Sequence, residues 1–508
     1  MSETLKMRLS EAENKVADAE LSLALIGRLI QEKQAELKAR IMDYVLASKT
    51  LQFKSEELEA FLKQPYVLLP KGEAEWYLIL PRFIDMQVGW LERQTATYNI
   101  FIVSRQIAWL TDIPAFLREE LDLEAPFKVS VQEDILTTDI AKVEEVWQRY
   151  RAHLVRREGP GEVRVKPGHH FLLLASLIRD GVLPFNPRPI DQADMRNSMP
   201  TKFELLDYQC TAWEAFTRYG NIGVFWPPRG GKTFLGMYAL SRLRGRKLVV
   251  VPTLTLLEQW QERLRQWTGI PSGEVDIVTY HAFDKVRSKD YTLTIYDECH
   301  RLPANQFSRL ATVKTKYRMG FSATPWREDG RAEYIFALTG FPIGLDWQAF
   351  LKMQLFHKPT VDLYIVRNIT EKTGWVAQFL ADKKRTMIFC DGIELGKQLA
   401  HRFNLEFVYG STKKRLQKIH EAITNSPQRA LVISRVGDEG VSLAKIERII
   451  EFDFLFGSRR QEMQRLGRLF HSDYEGEHVI LMAKDEYARY KKRLYAIYEK
   501  GFEIKVHA

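Results

Sequence analysis

From residue 222 onward, short apolar runs rich in β-branched residues alternate with stretches of helical periodicity, and the alternation occurs twice. The first series is IGVFW (222–226), KLVVV (247–251), VDIVT (275–279), LTIYD (293–297) and YRMGFS (317–322). After a break near 340–380, the second is TMIFC (386–390), LEFVY (405–409), ALVIS (430–434), RIIEF (448–452) and HVILM (478–482). A strand that is apolar at consecutive positions is buried on both faces. A helix between two such strands carries the chain back to the same end of the sheet, so the pattern dictates parallel sheets covered by helices. Two series predict two α/β domains joined by a connector. The 508 residues leave room for further domains, at roughly 100–200 residues each.

The chain before residue 200 reads differently. Leu5, Leu9, Ala12, Val16, Ala19, Leu23, Ile26 and Ile30 are spaced alternately by four and three, and the series resumes at Leu37, Ile41 and Tyr44. This predicts a long helix over 1–64 with a coiled-coil seam. Such a seam either packs on its own protein or serves a protein partner or self-association. The segments EWYLILPRF, YNIFIVSRQ and APFKVSV are aromatic, β-branched and separated by turn residues, which predicts strands. DIAKVEEVWQRYRAHLVRR (139–157) reads as a helix, GPGEVRVKPG after it as a hinge, and LPFNPRPIDQADMRNSMP (183–200) as a linker. The expected organisation is therefore a helical segment 1–64, a mixed α+β accessory domain 65–200, and α/β domains at 201–345 and 346–508, the last including the connector and a C-terminal helix.

Composition narrows the class. With 45% hydrophobic and 27% charged residues, the chain is neither disordered, collagenous nor a disulfide scaffold. The three cysteines, Cys210, Cys299 and Cys390, have no paired spacing, which suits a reducing compartment and excludes a cysteine-based zinc site. The N-terminus is charged where an export signal is apolar, and a run such as HHFLLLASLI (169–178) is shorter than the ~18–20 residues that span a bilayer. The expectation is a cytoplasmic protein with no membrane partner, associated with the nucleoid or with viral DNA if prokaryotic. Residues 1–150 carry 18 Lys and Arg against 25 Asp and Glu, whereas the remainder carries 56 against 40. A basic two-thirds points to a polyanion such as nucleic acid.

Two motifs carry the chemistry. WPPRGGKTF (226–234) follows an apolar strand and precedes a helical run, which is the context of a phosphate-binding loop. Gly230 and Gly231 let backbone N–H groups turn toward phosphates, Lys232 reaches the β/γ-phosphates, and the Thr233 hydroxyl can ligate Mg²⁺. Trp226 stands where that motif has its first glycine. LTIYDECH (293–300) ends a later strand of the same series. Asp297 is suited to hold Mg²⁺ and Glu298 to polarise the attacking water, so the pair and the loop predict hydrolysis of a nucleoside triphosphate.

With DECH the chain resembles superfamily 2 helicases and translocases over about residues 200–485. ELLDYQCTAWEAF (204–216) is similar to the adenine-recognition segment, with Gln209 on the base. VVVPTLTLLEQW (249–260) is similar to the motif whose Pro252–Thr253 turn touches the nucleic-acid backbone. FSATPWRED (321–329) supplies Ser322, Ala323 and Thr324, the family's link between hydrolysis and strand movement. VGDEGVSL (436–443), with Gly437 and Glu439, and RRQEMQRLGRLFH (459–471) resemble the fifth and sixth motifs. Arg327-Glu328-Asp329 resembles the RED element of the XPB branch, part of an unwinding wedge. Phage branch-migration helicases of the UvsW type share the same core.

The resemblance implies two RecA-like domains with ATP and Mg²⁺ in the cleft between them. Lys232, Thr233, Asp297 and Glu298 would form one wall, and Gln464, Arg465 and Arg468 would face them. It implies a DNA helicase or translocase acting without sequence specificity on duplex, forked or branched DNA, in repair or recombination. The alternatives are a branch-migration or annealing motor, an ATPase recruited through its N-terminal region, and, less favoured, an RNA helicase. The sixth motif departs from the family: it ends in His471 where a second arginine is usual, so Arg468, or else Arg465, must supply the finger. The short interval between Ser322 and Thr386 leaves the thumb insertion of XPB-like relatives reduced or missing.

Overall fold

The computed structural model describes residues 66–72, 75–81, 88–95, 98–105, 117, 121, 125, 127–132, 134–196, 204–302, 309–323, 331–345, 347–438, 446–454, 459–471 and 473–507. The heptad series of residues 1–64 lies outside them, as do Thr324, Arg327, Glu328, Asp329 and Glu439. No helix of the described residues is long and apolar enough to cross a membrane.

Two small antiparallel sheets come first. Strands β1 (Val67–Gly72), β2 (Glu75–Pro81), β3 (Trp90–Gln94) and β4 (Tyr98–Ser104) lie in the order β1-β2-β4-β3. Their side chains alternate as a strand requires. Leu78, Leu80, Leu91, Phe101 and Val103 share one core with Tyr495 near the far end of the chain, while Ile79, Tyr98 and Ile100 form another cluster. Two polar contacts fix the same seating: the Leu91 N–H donates to Glu499 Oε1 at 2.5 Å, and Lys492 pairs with Glu92 at 2.7 Å.

Strands β5 (Val129–Gln132), β6 (Ile135–Thr138), β7 (Leu154–Gly159) and β8 (Glu162–Val165) form the second sheet, in the order β5-β6-β8-β7. The helix expected over 139–157 is shorter, Val143–Tyr150 with 3₁₀ turns on either side, because Leu154 leaves it to begin β7. The expected hinge GPGEVRVKPG is a hairpin instead. Leu154, Val163 and Val165 on its arms are buried with Leu136 and Val146, which fixes the turn rather than freeing it. The helix His170–Arg179 then joins this sheet to the next layer. Leu173 and Leu177 enter the core of the small sheet, while Phe171, Leu174, Ala175 and Ile178 pack with Phe225 and Leu248 of the large one. The expected linker, described as far as residue 196, is a strap. Ile190 is buried in the large core, and Asp194 accepts from Tyr317 at 2.9 Å and Lys316 at 3.0 Å.

The first parallel sheet contains β9 (Asn221–Phe225), β10 (Lys247–Val251), β11 (Val275–Thr279), β12 (Tyr291–Tyr296), β13 (Thr315–Ser322) and β14 (Phe341–Gly344). Their order is β11-β10-β12-β13-β9-β14, parallel throughout. Both faces are buried, as consecutive apolar residues demand: Val249 and Val251 point to one core, Leu248 and Val250 to the other.

The second parallel sheet contains β15 (Thr360–Val366), β16 (Thr386–Cys390), β17 (Glu406–Val408), β18 (Ala430–Ile433), β19 (Arg448–Asp453), β20 (Glu477–Ala483) and β21 (Lys505–His507), in the order β17-β18-β16-β19-β20-β15-β21. Met387 and Phe389 face one core, Ile388 and Cys390 the other. β15 falls within the break in the apolar pattern. Its sequence TVDLYIV alternates rather than running apolar throughout, because it lies beside the edge strand β21. The C-terminal helix has two short parts, Lys484–Tyr490 and Tyr495–Glu499, and the chain continues past them into β21.

Candidate active site between the two parallel sheets

Strands β12, β13 and β9 are neighbours in the first sheet, so the segments that leave their C-terminal ends converge. That end of a parallel sheet is where ligands bind. After β9 comes the loop 226–231, after β12 come Asp297 and Glu298, and after β13 comes Ala323 following the strand's last residue, Ser322. Motifs separated by up to a hundred residues in sequence thus share one crevice.

The loop ends at Gly231, which caps the helix Lys232–Arg242 with a left-handed φ of 74°. A Cβ there would lie 2.2 Å from Gln209 Nε2, so glycine is required by contact as well as by conformation. Gln209 is itself buried, and its Oε1 accepts from the Leu206 N–H at 3.0 Å. Tyr208 donates to the Gly230 carbonyl at 3.0 Å, which couples the expected base-recognition segment directly to the loop. Lys232 Nζ is turned back onto the Trp226 and Pro227 carbonyls at 2.8 and 3.1 Å. Burial pulls its pKa down, against the attraction of Glu298 and Asp297.

Asp297 is buried, and burial pushes its carboxyl pKa up. Trp260 Nε1–H donates to its Oδ2 at 2.7 Å and the Glu298 N–H to its Oδ1 at 3.0 Å. Arg263, one turn on from Trp260, donates to Thr233 Oγ1 at 3.3 Å. One helix, Leu254–Trp267, therefore supports both expected magnesium ligands. Its N-cap is Thr253, whose hydroxyl accepts from the Leu256 N–H at 3.3 Å, and Pro252 precedes it. Glu298 takes a left-handed φ of 48°, a conformation disfavoured for a non-glycine residue. Beside it His300 Nδ1 lies 3.4 Å from Glu298 Oε2 and 2.7 Å from Ser322 Oγ, a bridge between DECH and SAT.

The opposite wall comes from the second sheet. Gly437 lies in a 3₁₀ turn just beyond β18, and β19 leads toward the helix Arg459–Leu466 and the turn Gly467–Leu469. Gln464 and Arg468 are half-buried. Arg465 departs from its expected place among the nucleotide-binding groups. It is fully buried within its own domain, donating to Glu451 at 2.7 Å and to Asp391 at 3.3 Å, with its guanidinium over the Phe389 ring. Glu451, Glu462 and His478 also lie close enough to share a cation. Arg493 already bonds both carboxylates at 2.9 Å, so the cluster is an ionic lattice rather than a metal site.

The two walls touch. A Cβ on Gly467 would lie 2.5 Å from Pro228 of the phosphate loop. Arg229, exposed and with a left-handed φ of 62°, reaches across to His471 Nδ1 at 3.3 Å and to the Arg468 carbonyl at 3.4 Å. His471 Nε2 lies 2.7 Å from the Ile446 carbonyl. Arginine only donates and a carbonyl only accepts, so these contacts fix His471 as the neutral tautomer with its proton on Nε2. Sequence reading overlooked Arg229, Trp260, Arg263 and His300 as site residues. Arg229, Trp260 and His300 stood inside quoted motifs, and nothing in a linear motif marks Arg263.

Two parallel sheets face each other across the loop 226–231 and a strand-end Asp-Glu pair, which is a tandem RecA-like architecture. A family model described as the ERCC3/RAD25/XPB C-terminal helicase matches residues 362–498, and one described as the res subunit of type III restriction enzymes matches residues 202–327. A putative DNA 3'-5' helicase Rad25 from Halobacterium salinarum is 31% identical over 330 residues, covering 55% of this chain and 54% of that protein. The DNA 3'-5' helicase XPB of Mycobacterium tuberculosis is 26% identical over 361 residues, covering 60% and 66% respectively. The structure of S. cerevisiae Dbp5 bound to RNA and ADP BeF3 is similar in fold, with a TM-score of 0.50 at 13% identity, covering 61% of this chain and 90% of that one. The chain is thus similar to the XPB/Rad25 helicases over residues 362–498 and to these relatives over about 330–360 residues. It spans about half the length of the Rad25 relatives, 54% and 53% of the two from Halobacterium salinarum and Haloarcula marismortui.

Proposed function

We propose that the protein is an ATP-dependent DNA helicase or translocase that couples hydrolysis to unwinding or remodelling of forked and branched DNA, moving 3' to 5' as the names of its relatives describe. The observation that supports this reading is the meeting of the loop 226–231, Asp297-Glu298 and Ser322 at three adjacent strand ends, opposite Gly467, Arg468 and His471. Lys232 holds two neutral carbonyls in a desolvated loop, and a phosphate is a far better partner for its cation. Binding of ATP would exchange those partners, while Gln209 reads the base. Glu298 would orient and deprotonate the attacking water, and Arg468 would neutralise charge as it develops on the γ-phosphate. Thr233 and Asp297 offer a hydroxyl and a carboxylate, hard oxygen donors that suit Mg²⁺, and both are already oriented by the helix Leu254–Trp267. When bound, the ion would offset phosphate charge.

Through His300, a change at Glu298 would be felt at Ser322, and the SAT segment Ser322-Ala323-Thr324 would pass it toward DNA. Pro252 and Thr253 would lie on the DNA backbone, and Arg327, Glu328 and Asp329 would split the strands. Gly437 and Glu439 would complete the nucleotide set from the second domain. Steady-state ATPase rates with single-stranded, duplex, forked and four-way DNA, measured beside RNA, test the reading. Stimulation by forked or branched DNA above RNA is expected; equal or greater stimulation by RNA would replace DNA as the substrate.

A further inference from the structure

His471 leaves the second domain one guanidinium short at the cleft, and the loop opposite contains an arginine in an unusual place. Arg229 takes up a left-handed backbone conformation that glycine adopts freely and arginine does not. Its side chain crosses the cleft, with Nη1 3.3 Å from His471 Nδ1 and Nη2 3.4 Å from the Arg468 carbonyl. Pro228, beside it, packs on Gly467. The histidine offers Arg229 the lone pair of a neutral ring whose other nitrogen is bonded to the Ile446 carbonyl. An arginine at 471 could not do this, because it has no acceptor. The two departures, an arginine in the phosphate loop and a histidine at the end of the sixth motif, are therefore physically matched.

We infer that Arg229 is the second γ-phosphate cation of this motor, delivered from the phosphate-loop wall and parked on His471 when no phosphate is present. This deepens the ATPase reading above and rests on it. An arginine on either wall can meet the same phosphate when the cleft is closed, provided the facing residue does not repel it. Arg229 and Arg468 would then supply from two walls the pair of charges that one wall usually supplies. Both of Arg229's present acceptors are weak neutral groups, so a phosphate oxygen would displace them.

A four-member cycle tests the exchange: wild type, Arg229→Gly, His471→Arg, and the double variant. Glycine suits the backbone at 229, so Arg229→Gly should melt no lower than wild type. Its kcat for ATP should fall roughly 10²-fold, the scale of losing a preorganised transition-state donor, while affinity for a fluorescent ATP analogue changes far less. His471→Arg alone sets two guanidiniums against each other and should also slow turnover. The double variant moves the cation to the other wall and should recover at least about tenfold over Arg229→Gly. Undiminished kcat in Arg229→Gly, or a double variant no faster than that single one, overturns the inference while leaving the ATPase reading intact. An Arg229 that merely latched the domains together would give the first of these results. A wild-type chain with no nucleic-acid-stimulated hydrolysis would overturn both.

Discussion

The two walls of the cleft are built on opposite principles. On the first, the groups that would handle phosphate are held by few and exchangeable partners: carbonyls for Lys232, an indole N–H for Asp297, a guanidinium for the Thr233 hydroxyl. On the second, the helix that carries Gln464 rests on a lattice of buried charge. Glu451 accepts from Arg465, Arg493 and His478, Glu462 from Arg493, and Arg465 also reaches Asp391. Hydrogen bonds with a single charged partner contribute a net of about 1.5–3 kcal/mol each, whereas removing one partner of a buried ion pair costs about 3–5 kcal/mol. On the proposed function, the wall that would change partners in every cycle is made of the more replaceable bonds, and the wall that would present a constant face is made of bonds that fail together.

The contrast is broken most directly at Lys232. Lys232→Ala should abolish hydrolysis with little loss of thermal stability, because its hydrogen-bond partners are the Trp226 and Pro227 carbonyls. Glu298→Gln should retain ATP binding while kcat falls about 10²–10⁴-fold, the range of lost general-base catalysis. If Glu298→Gln hydrolyses ATP at the wild-type rate, the base lies elsewhere.

Three positions apart, Arg465 and Arg468 sharpen the comparison within one wall. Arg468→Ala should depress kcat about 10²-fold at nearly unchanged ATP affinity and melting temperature. Arg465→Ala should instead destabilise the fold by about 3–5 kcal/mol in denaturant titrations, by leaving Glu451 and Asp391 short of a cation. A stable Arg465→Ala protein with the kinetic defect would return Arg465 to the nucleotide.

Glu462 gives the lattice a signature in pH. Burial and the neighbouring Glu451 push its pKa up from 4.5 to about 7. The folded chain then keeps a proton that the unfolded chain has lost, so this contribution is complete below pH 4.5 and disappears as pH rises through 7. Stability should fall over that window by up to about 1.4 kcal/mol per pH unit, and Glu462→Gln should flatten the slope. An unchanged slope would assign the titration to another group.

The smallest effect is expected at Trp260. Trp260→Phe keeps the ring but removes the N–H from Asp297, costing about 1–3 kcal/mol. Asp297 should then require higher Mg²⁺ for half-maximal hydrolysis; an unaltered requirement would show that the indole only packs.

What the sequence made legible follows from the same physics. Parallel strands buried on both faces must be apolar throughout, so ten of them could be placed to within about two residues, and the loop and DECH stood at their ends. β15 escaped because it alternates. The run 139–157 was read as continuous helix because Leu154 and Val155 extend its apolar pattern, although Leu154 belongs to a hairpin core. The segment 183–200 looked like a linker because prolines conceal how firmly Ile190 and Asp194 are held. Pairings across space, such as Arg465 with Glu451, Trp260 with Asp297 or Arg229 with His471, have no linear signal. Gln464 and Arg468 could be named because the sixth motif is local, but the burial of Arg465 could not be read from it.

The two antiparallel sheets near the N-terminus are seated on different halves of the motor. β1–β4 ride on the helix Tyr495–Glu499 behind the second parallel sheet, whereas β5–β8 are spliced into the first through Phe171, Leu174 and Ile178. Where the two meet, Arg105 reaches the Asp180 carbonyl at 3.5 Å, and a Cβ on Gly181 would lie 2.5 Å from the Arg105 side chain. Were the cleft to open and close, each small sheet would travel with the parallel sheet that seats it, like two pointers on separate dials. Any cargo gripping both would be worked mechanically by the fuel cycle, while cargo gripping one would simply be carried.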